Sequence, residues 1–185
     1  MARRLGPRLT KERIRPSRVI DGVEDPGAGA TVVFLGTVRD NSSVGRVKGI
    51  EYEAYRSMAE KSLARAEEEA MLRWPATRQV RILHRVGSLS VGEVSVAVAV
   101  SSAHRAEAFE ACRFVIEAIK HEAPIWKREK MVGGKEVWVE GAPLEQRRKR
   151  TKALLRTEVP SRRVRRPGRG PPSSAGDSTE GSALG

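Results

Sequence analysis

Residues 93–139 read EVSVAVAVSSAHRAEAFEACRFVIEAIKHEAPIWKREKMVGGKEVWV, and the changes of period within this stretch decide the fold class. Residues 93–100 are apolar and rich in valine, which predicts a strand. From residue 103 to 120 the apolar side chains of Ala108, Cys112, Val115, Ile116 and Ile119 recur at helical spacing. Ser101 or Ser102 is placed to cap that helix, and Pro124 breaks it. Residues 126–132 and 136–139 then form a hairpin around Gly133-Gly134.

Working outward, residues 80–86 predict a strand that leads into a turn-like segment, 87–92. Between Ser57 and Trp74-Pro75 lies a second helix, with Met58, Leu63, Ala66, Ala70, Met71 and Trp74 on one face. Residues 47–55 alternate as a strand, 39–45 form a polar loop, 30–38 read as a buried strand, and 24–29 are a turn. The first 18 residues are basic and broken by prolines. Leu9 and Ile14 are their only plausible anchors, so an edge strand and a flexible arm both stay open. The order β-β-α-β-β-α-β-β predicts a single α+β domain with a mixed or antiparallel sheet and two main helices.

The chain has 185 residues and a formal charge of +12, which taken alone would point to nucleic acid or an anionic surface. The distribution points elsewhere. Residues 1–18 hold seven Lys/Arg against one acid, and residues 145–185 hold eleven against four, whereas 19–144 hold 17 against 18. We therefore divide the chain into a basic arm (1–18), a near-neutral domain (19–144) and a basic Pro/Gly/Ser-rich tail (145–185) with disorder as its default. A short helix through Leu155 would extend the domain. One cysteine, Cys112, excludes an intramolecular disulfide and a cysteine-based zinc site. With no apolar run long enough to span a bilayer and no signal-like start, a cytoplasmic location is expected.

Candidate chemistry gathers around the helix at 103–120. His104 and Arg105 fall in its first turn, where free backbone N–H groups and a guanidinium suit an anion. Lys120 closes the helix, where a cation also simply complements the helix dipole. Lys127, flanked by Ile125 and Trp126, could be partly desolvated by that tryptophan and act as base or nucleophile, or merely alternate toward solvent. Arg39 ends a strand at a loop mouth. Trp126 and Trp138 suit either a planar ligand or, more commonly, a core. Cys112 lies on the apolar stripe and reads as a buried, inert thiol. His84 and His121 lack ligand-spaced partners, so no metal or other cofactor is expected.

Taken in order, Phe34-Leu35-Gly36-Thr37-Val38-Arg39, Glu51-Tyr52-Glu53-Ala54-Tyr55, His84-Arg85-Val86-Gly87, Ser101-Ser102-Ala103-His104-Arg105 and Pro124-Ile125-Trp126-Lys127-Arg128-Glu129 resemble the large, catalytic subunit of molybdopterin synthase, the MoaE family. The match runs over about residues 9–141. The resemblance implies an α/β-hammerhead-type α+β fold and a central homodimer carrying one small ubiquitin-like sulfur-carrier subunit at each end, a heterotetramer. It implies a sulfurtransferase that moves sulfur from the carrier's C-terminal thiocarboxylate to cyclic pyranopterin monophosphate, giving molybdopterin for molybdenum cofactor synthesis. By motif, Lys120 and Lys127 match the family's essential pocket lysines, and Arg39, His104 and Arg105 its substrate contacts. Thr37, Val38, Arg128 and Glu129 lie in the same segments. One departure stands out: where some members place a basic residue just after Trp-Val-Glu, Trp138-Val139-Glu140 runs into Gly141-Ala142, with Arg147 or Arg148 as conceivable substitutes.

His104 and Lys120 are 16 positions apart on one helix, or ~24 Å at ~1.5 Å per residue. A small pterin cannot bridge that distance, so a site using both must borrow His104 and Arg105 from a neighbouring subunit. A nucleic-acid-binding protein acting through the charged termini is the alternative from a different class, and a silent scaffold for the carrier is a third. Deleting residues 145–185 separates the first two. Nucleic-acid affinity measured by titration should vanish while sulfur transfer survives; loss of transfer with retained nucleic-acid binding would reverse the preference.

Overall fold

The computed structural model describes residues 6–139, and the tail beyond, including the anticipated helix through Leu155, lies outside the described residues. Two sheets share the chain. The first has the order β1-β5-β7-β2, from Leu9–Thr10, Thr77–Arg85, Val94–Ser102 and Ala30–Thr37. β1 runs parallel to β5, and the other pairs are antiparallel. The second sheet joins β3 (Asn41–Ser42), β4 (Gly45–Ala54), β8 (Ile125–Met131) and β9 (Glu136–Val139), with β6 (Gly87–Ser90) on the other side of β4. This is an α+β architecture with mixed strand directions, as expected.

Two long helices, α2 (Arg56–Arg73) and α3 (Arg105–Glu122), lie on one face of the first sheet and pack on each other. Leu63, Ala66, Val80, Ile82, Val98, Val100, Cys112, Phe114 and Val115 fill the layer between them. Trp74 tilts against Phe114, with the Arg73 guanidinium over the Phe114 ring. The opposite face is covered by the short α1 (Pro16–Asp21), whose Val19 joins Ile14, Val23, Ala97 and Ala99 in a second small core. Pro16 sits at the start of α1, where its missing N–H costs nothing.

Several local expectations give way to tertiary pairing. Ser101 and Ser102 do not cap α3: both remain in β7, paired to β2 and β5, and His104 occupies the cap position without a side-chain cap bond. Two ladders offer those serines more than one helix end does. Residues 87–92, read as a turn, contain β6, because Gly87 at φ +94° lets the chain step from the first sheet into the second. The strand at 30–38 is not buried on both faces. As an edge strand, it alternates half-buried residues with exposed ones, Val33 and Leu35 among the latter. Met58 likewise faces solvent, and Ala59 takes its place in the core.

The N-terminal segment takes the edge-strand alternative, and carboxylates hold it there. Glu60 accepts from the Arg8 and Leu9 backbone N–H groups at 2.9–3.0 Å. One turn-pair further along α2, Glu67 receives the Arg8 side chain at 2.6–2.7 Å and the Ile82 N–H at 2.9 Å. Burial pushes the Glu67 carboxyl above its ordinary value, against the pull of Arg8. Removing one partner of such a group strands the other, so Glu67→Ala should cost about 3 kcal/mol of folding stability. Urea unfolding checks this; an unchanged midpoint would mean that the arm is not held by this pair.

Candidate functional site

A cavity of about 460 Å³ opens at the seam between the two sheets, beneath the last turns of α3. Its walls are mostly apolar: Phe34 and Gly36 from β2, Val96 and Val98 from β7, Ile116 and Ile119 from α3, and Ile125 and Val139 from β8 and β9. Six polar side chains enter it, namely Tyr52, His84, Ser95, Lys120, His121 and Lys127. That combination, an apolar chamber with a few convergent polar groups, is what a small-molecule site requires. Gly36 is needed for its shape, since a Cβ there would lie 2.7 Å from Val96 Cγ1.

The two lysines reach the cavity from different elements. Lys120 projects from the last turn of α3, largely exposed, with Nζ 3.8 Å from Glu117 Oε1. Lys127 points inward from β8 opposite Tyr52, and its Nζ donates to Glu129 Oε1 at 3.1 Å. The turn through Ala123 and Pro124 brings them together, closed by Ile125 N–H to the Ala123 carbonyl at 2.8 Å and anchored by Tyr55 N–H to the Pro124 carbonyl at 3.2 Å. Trp126 does not desolvate Lys127, because alternate residues of β8 face opposite sides. Trp126 and Trp138 are both half-exposed on the outer face, neither core nor cavity wall, and Arg128 stacks over Trp138 at 5.1 Å.

At the inner end of the chamber, burial favours the neutral forms of His84 and Tyr52. His84 packs edge-on against Tyr52, with ring centroids 5.1 Å apart. The His84 Nδ1 is 2.9 Å from the Arg85 carbonyl, which places the ring proton there. Burial drives its pKa from 6.5 down to about 4. Burial also raises the Tyr52 phenol, although a hydrogen bond with Ser95 works the other way. The Ser95 hydroxyl donates to the Gly36 carbonyl at 3.0 Å. His121 is buried, with Glu117 Oε2 3.3 Å from its Nε2 but outside hydrogen-bond geometry, so neither ring nitrogen is hydrogen-bonded.

Of the nine residues singled out from sequence, Lys120 and Lys127 line this cavity, and Glu129 is bonded directly to Lys127. Arg128 turns outward, pairing with Glu53 at 3.6 Å and Glu136 at 2.9 Å. Thr37 and Arg39 are exposed at the end of β2, while Val38 is buried in a small cluster with Val47, Ile50 and Leu89. His104 and Arg105 are exposed at the far end of α3, a helix length from Lys120. Arg147 and Arg148 lie outside the described residues. Tyr52, Ser95, His84 and His121 went unassigned in the sequence, since only the meeting of two sheets brings them to one chamber. Cys112 is buried, and its thiol is pushed up to about 11, which fits an inert side chain. Among the described residues, no group of three or more His, Cys, Asp or Glu is placed to hold a metal, and no helix is long and apolar enough to cross a membrane.

Comparison with known proteins bears on the same stretch of chain. The family model described as MoaE protein matches residues 9–122. A molybdopterin synthase catalytic subunit of Halalkalibacterium halodurans is 47% identical over 131 residues, covering 71% of this chain and 83% of that one. A protein of the same name from Thermoplasma volcanium is 43% identical over 130 residues, covering 70% and 94%. Among solved structures, molybdopterin synthase from Staphylococcus aureus superposes with a TM-score of 0.69 at 36% identity, covering 72% of this chain and 96% of that one.

A buried neutral histidine makes stability depend on pH. Between 6.5 and about 4 the unfolded chain binds a proton at His84 that the folded chain refuses, so stability falls as pH falls through that window. The loss attributable to His84 should reach about 3 kcal/mol by pH 4. Chemical denaturation at pH 7 and pH 4 should show it in the wild type and not in His84→Gln; parallel losses would mean that the ring is not held neutral.

Proposed function

The chain belongs to the MoaE family, and we propose that it is the catalytic subunit of a molybdopterin synthase, a sulfurtransferase acting in the cytoplasm. It transfers sulfur from the C-terminal thiocarboxylate of a small ubiquitin-like carrier subunit to cyclic pyranopterin monophosphate. The observation that carries this reading is the convergence of Lys120 and Lys127 on one apolar-walled cavity at the seam of the sheets. An extended glycine-rich tail is thin enough to enter such a chamber, and a carboxylate-like terminus meets ammonium groups at its mouth. Sulfur arriving on a partner also removes any need for a reactive cysteine, consistent with the burial of Cys112.

Lys120 holds the carrier terminus or substrate, and Lys127, tethered by Glu129, manages a proton. The phosphate is met by His104 and Arg105 at the start of α3, joined by Arg39. Because those residues lie a helix length from Lys120, the full site is composite, with His104 and Arg105 supplied by the second copy of a homodimer. Thr37, Val38, Arg128 and Glu129 support the segments that carry these groups. The carrier subunits complete a heterotetramer. The basic segment 145–185 follows the catalytic domain, whose first sheet includes Leu9–Thr10 of the basic N-terminal segment.

Product formation from cyclic pyranopterin monophosphate and thiocarboxylated carrier tests this directly. Lys120→Ala should lower the rate at least about 100-fold, and a wild-type rate in that variant would move the chemistry elsewhere. Mixing Lys120→Ala with Arg105→Ala under subunit exchange should restore about a quarter of wild-type activity, the share expected when half the dimers carry one intact site of two. No recovery would place each site within a single chain.

A further inference from the structure

Building on the function proposed above, we propose that His121 is a catalytic base for the water that sulfur transfer consumes, with Glu117 as its positioning residue. The need for such a base follows from the chemistry. When the thiocarboxylate sulfur displaces an oxygen substituent from a substrate carbon, that oxygen leaving with the carbon–oxygen bond pair, the acyl group remains on the sulfur as a thioester. For sulfur to stay with the substrate, the acyl carbon–sulfur bond must break and a water oxygen must take its place. One water proton has to be accepted as the oxygen attacks.

The cavity offers few acceptors. Lys120 and Lys127 are already engaged by Glu117 and Glu129, at 3.8 and 3.1 Å, and are assigned above to the carrier terminus and to the proton of sulfur attack. The Tyr52 phenol is raised above its ordinary value and stays a donor. His84, at about 4, is a weak base whose Nδ1 is committed to the Arg85 carbonyl. Glu129 already accepts from Lys127 and does not line the chamber.

His121 differs from all of these. It is 6% exposed, lines the cavity beside Lys120, and has both ring nitrogens buried without a hydrogen bond. Both nitrogens are shielded from the chamber as the ring stands, and leaving them unpaired is costly, which favours a rotation that pairs one and turns the other to the chamber. Glu117, one helical turn back, lies 3.3 Å from Nε2, so a small ring rotation lets Nε2–H donate to the carboxylate and leaves Nδ1 as the acceptor. Nδ1 takes the water proton as oxygen bonds to the acyl carbon. As the carbon–sulfur bond breaks, its electron pair leaves on sulfur and the imidazolium returns the proton there. The new carboxylic acid loses its own proton to solvent.

The step can be isolated in a single turnover of the full enzyme, followed by intact mass of the carrier. With His121→Gln, the carrier–substrate thioester should form at close to the wild-type rate and then persist, its release slowed about 100-fold or more. Wild-type release should depend on pH in a way that the variant's does not, and added imidazole should partly restore release in His121→Ala. Glu117→Gln should slow release less and alter that pH profile. Wild-type release in His121→Gln, or equal losses in formation and release without imidazole rescue, would overturn the role. Failure of the wild type to form either adduct or product would instead overturn the function on which it rests.

Discussion

β7 is hydrogen-bonded along nearly its whole length on both sides, to β5 and to β2, and this double ladder fixes where everything else can go. Its valines at 96, 98 and 100 face the helices, and its alanines at 97 and 99 face the arm and α1. A strand with large residues on one side and small ones on the other sets two different layer spacings. α2 and α3 lie over the large side as a full core. The small side admits only a short helix and a loop. Val96 and Val98 then serve twice, as packing under α3 and as the wall of the cavity.

The cavity exists because the chain changes sheets. β5 ends at Arg85 in the first sheet, Gly87 turns, and β6 begins in the second, pairing with β4. The two sheets diverge from that point, and the wedge between them is roofed by the end of α3. A continuous sheet would have closed the space. Helix and strand meet at Ala123 and Pro124, so the last turn of α3 and the first residues of β8 supply charged groups to the same opening from two directions. Deeper inside, burial favours the neutral forms of His84 and Tyr52.

Several charges of the described domain are matched across neighbouring elements. Arg85 with Glu93 at 2.9 Å, Lys130 with Glu51 at 2.8 Å and Arg8 with Glu67 at 2.6 Å tie neighbouring elements together. Lys130 and Ser88 hold the Glu51 carboxyl below its ordinary value. The basic N-terminal arm is therefore partly a structural feature, since Arg8 is spent on α2 and Arg81 donates to the Gly6 and Pro7 carbonyls at 2.9 Å. Among the described residues, exposed His104 and Arg105 take no part in these pairs.

The sequence by itself determined the element types, the two long helices, the hairpin at Gly133-Gly134 and the family, and it singled out Lys120 and Lys127, which the fold brings to one cavity. Each of these follows from local period, from turn chemistry or from ordered motifs, all of which are written along the chain. It could not show that residues 87–90 pair with β4, that Ser101 and Ser102 stay in a ladder, or that Met58 yields its place to Ala59, because those outcomes are competitions between a local preference and a distant partner. It also could not bring Tyr52, His84, Ser95 and His121 together. They come from β4, β5, β7 and α3, and only the divergence of two sheets makes them neighbours. Side chains separated by tens of residues carry no mutual period, so their meeting was decided by tertiary structure alone.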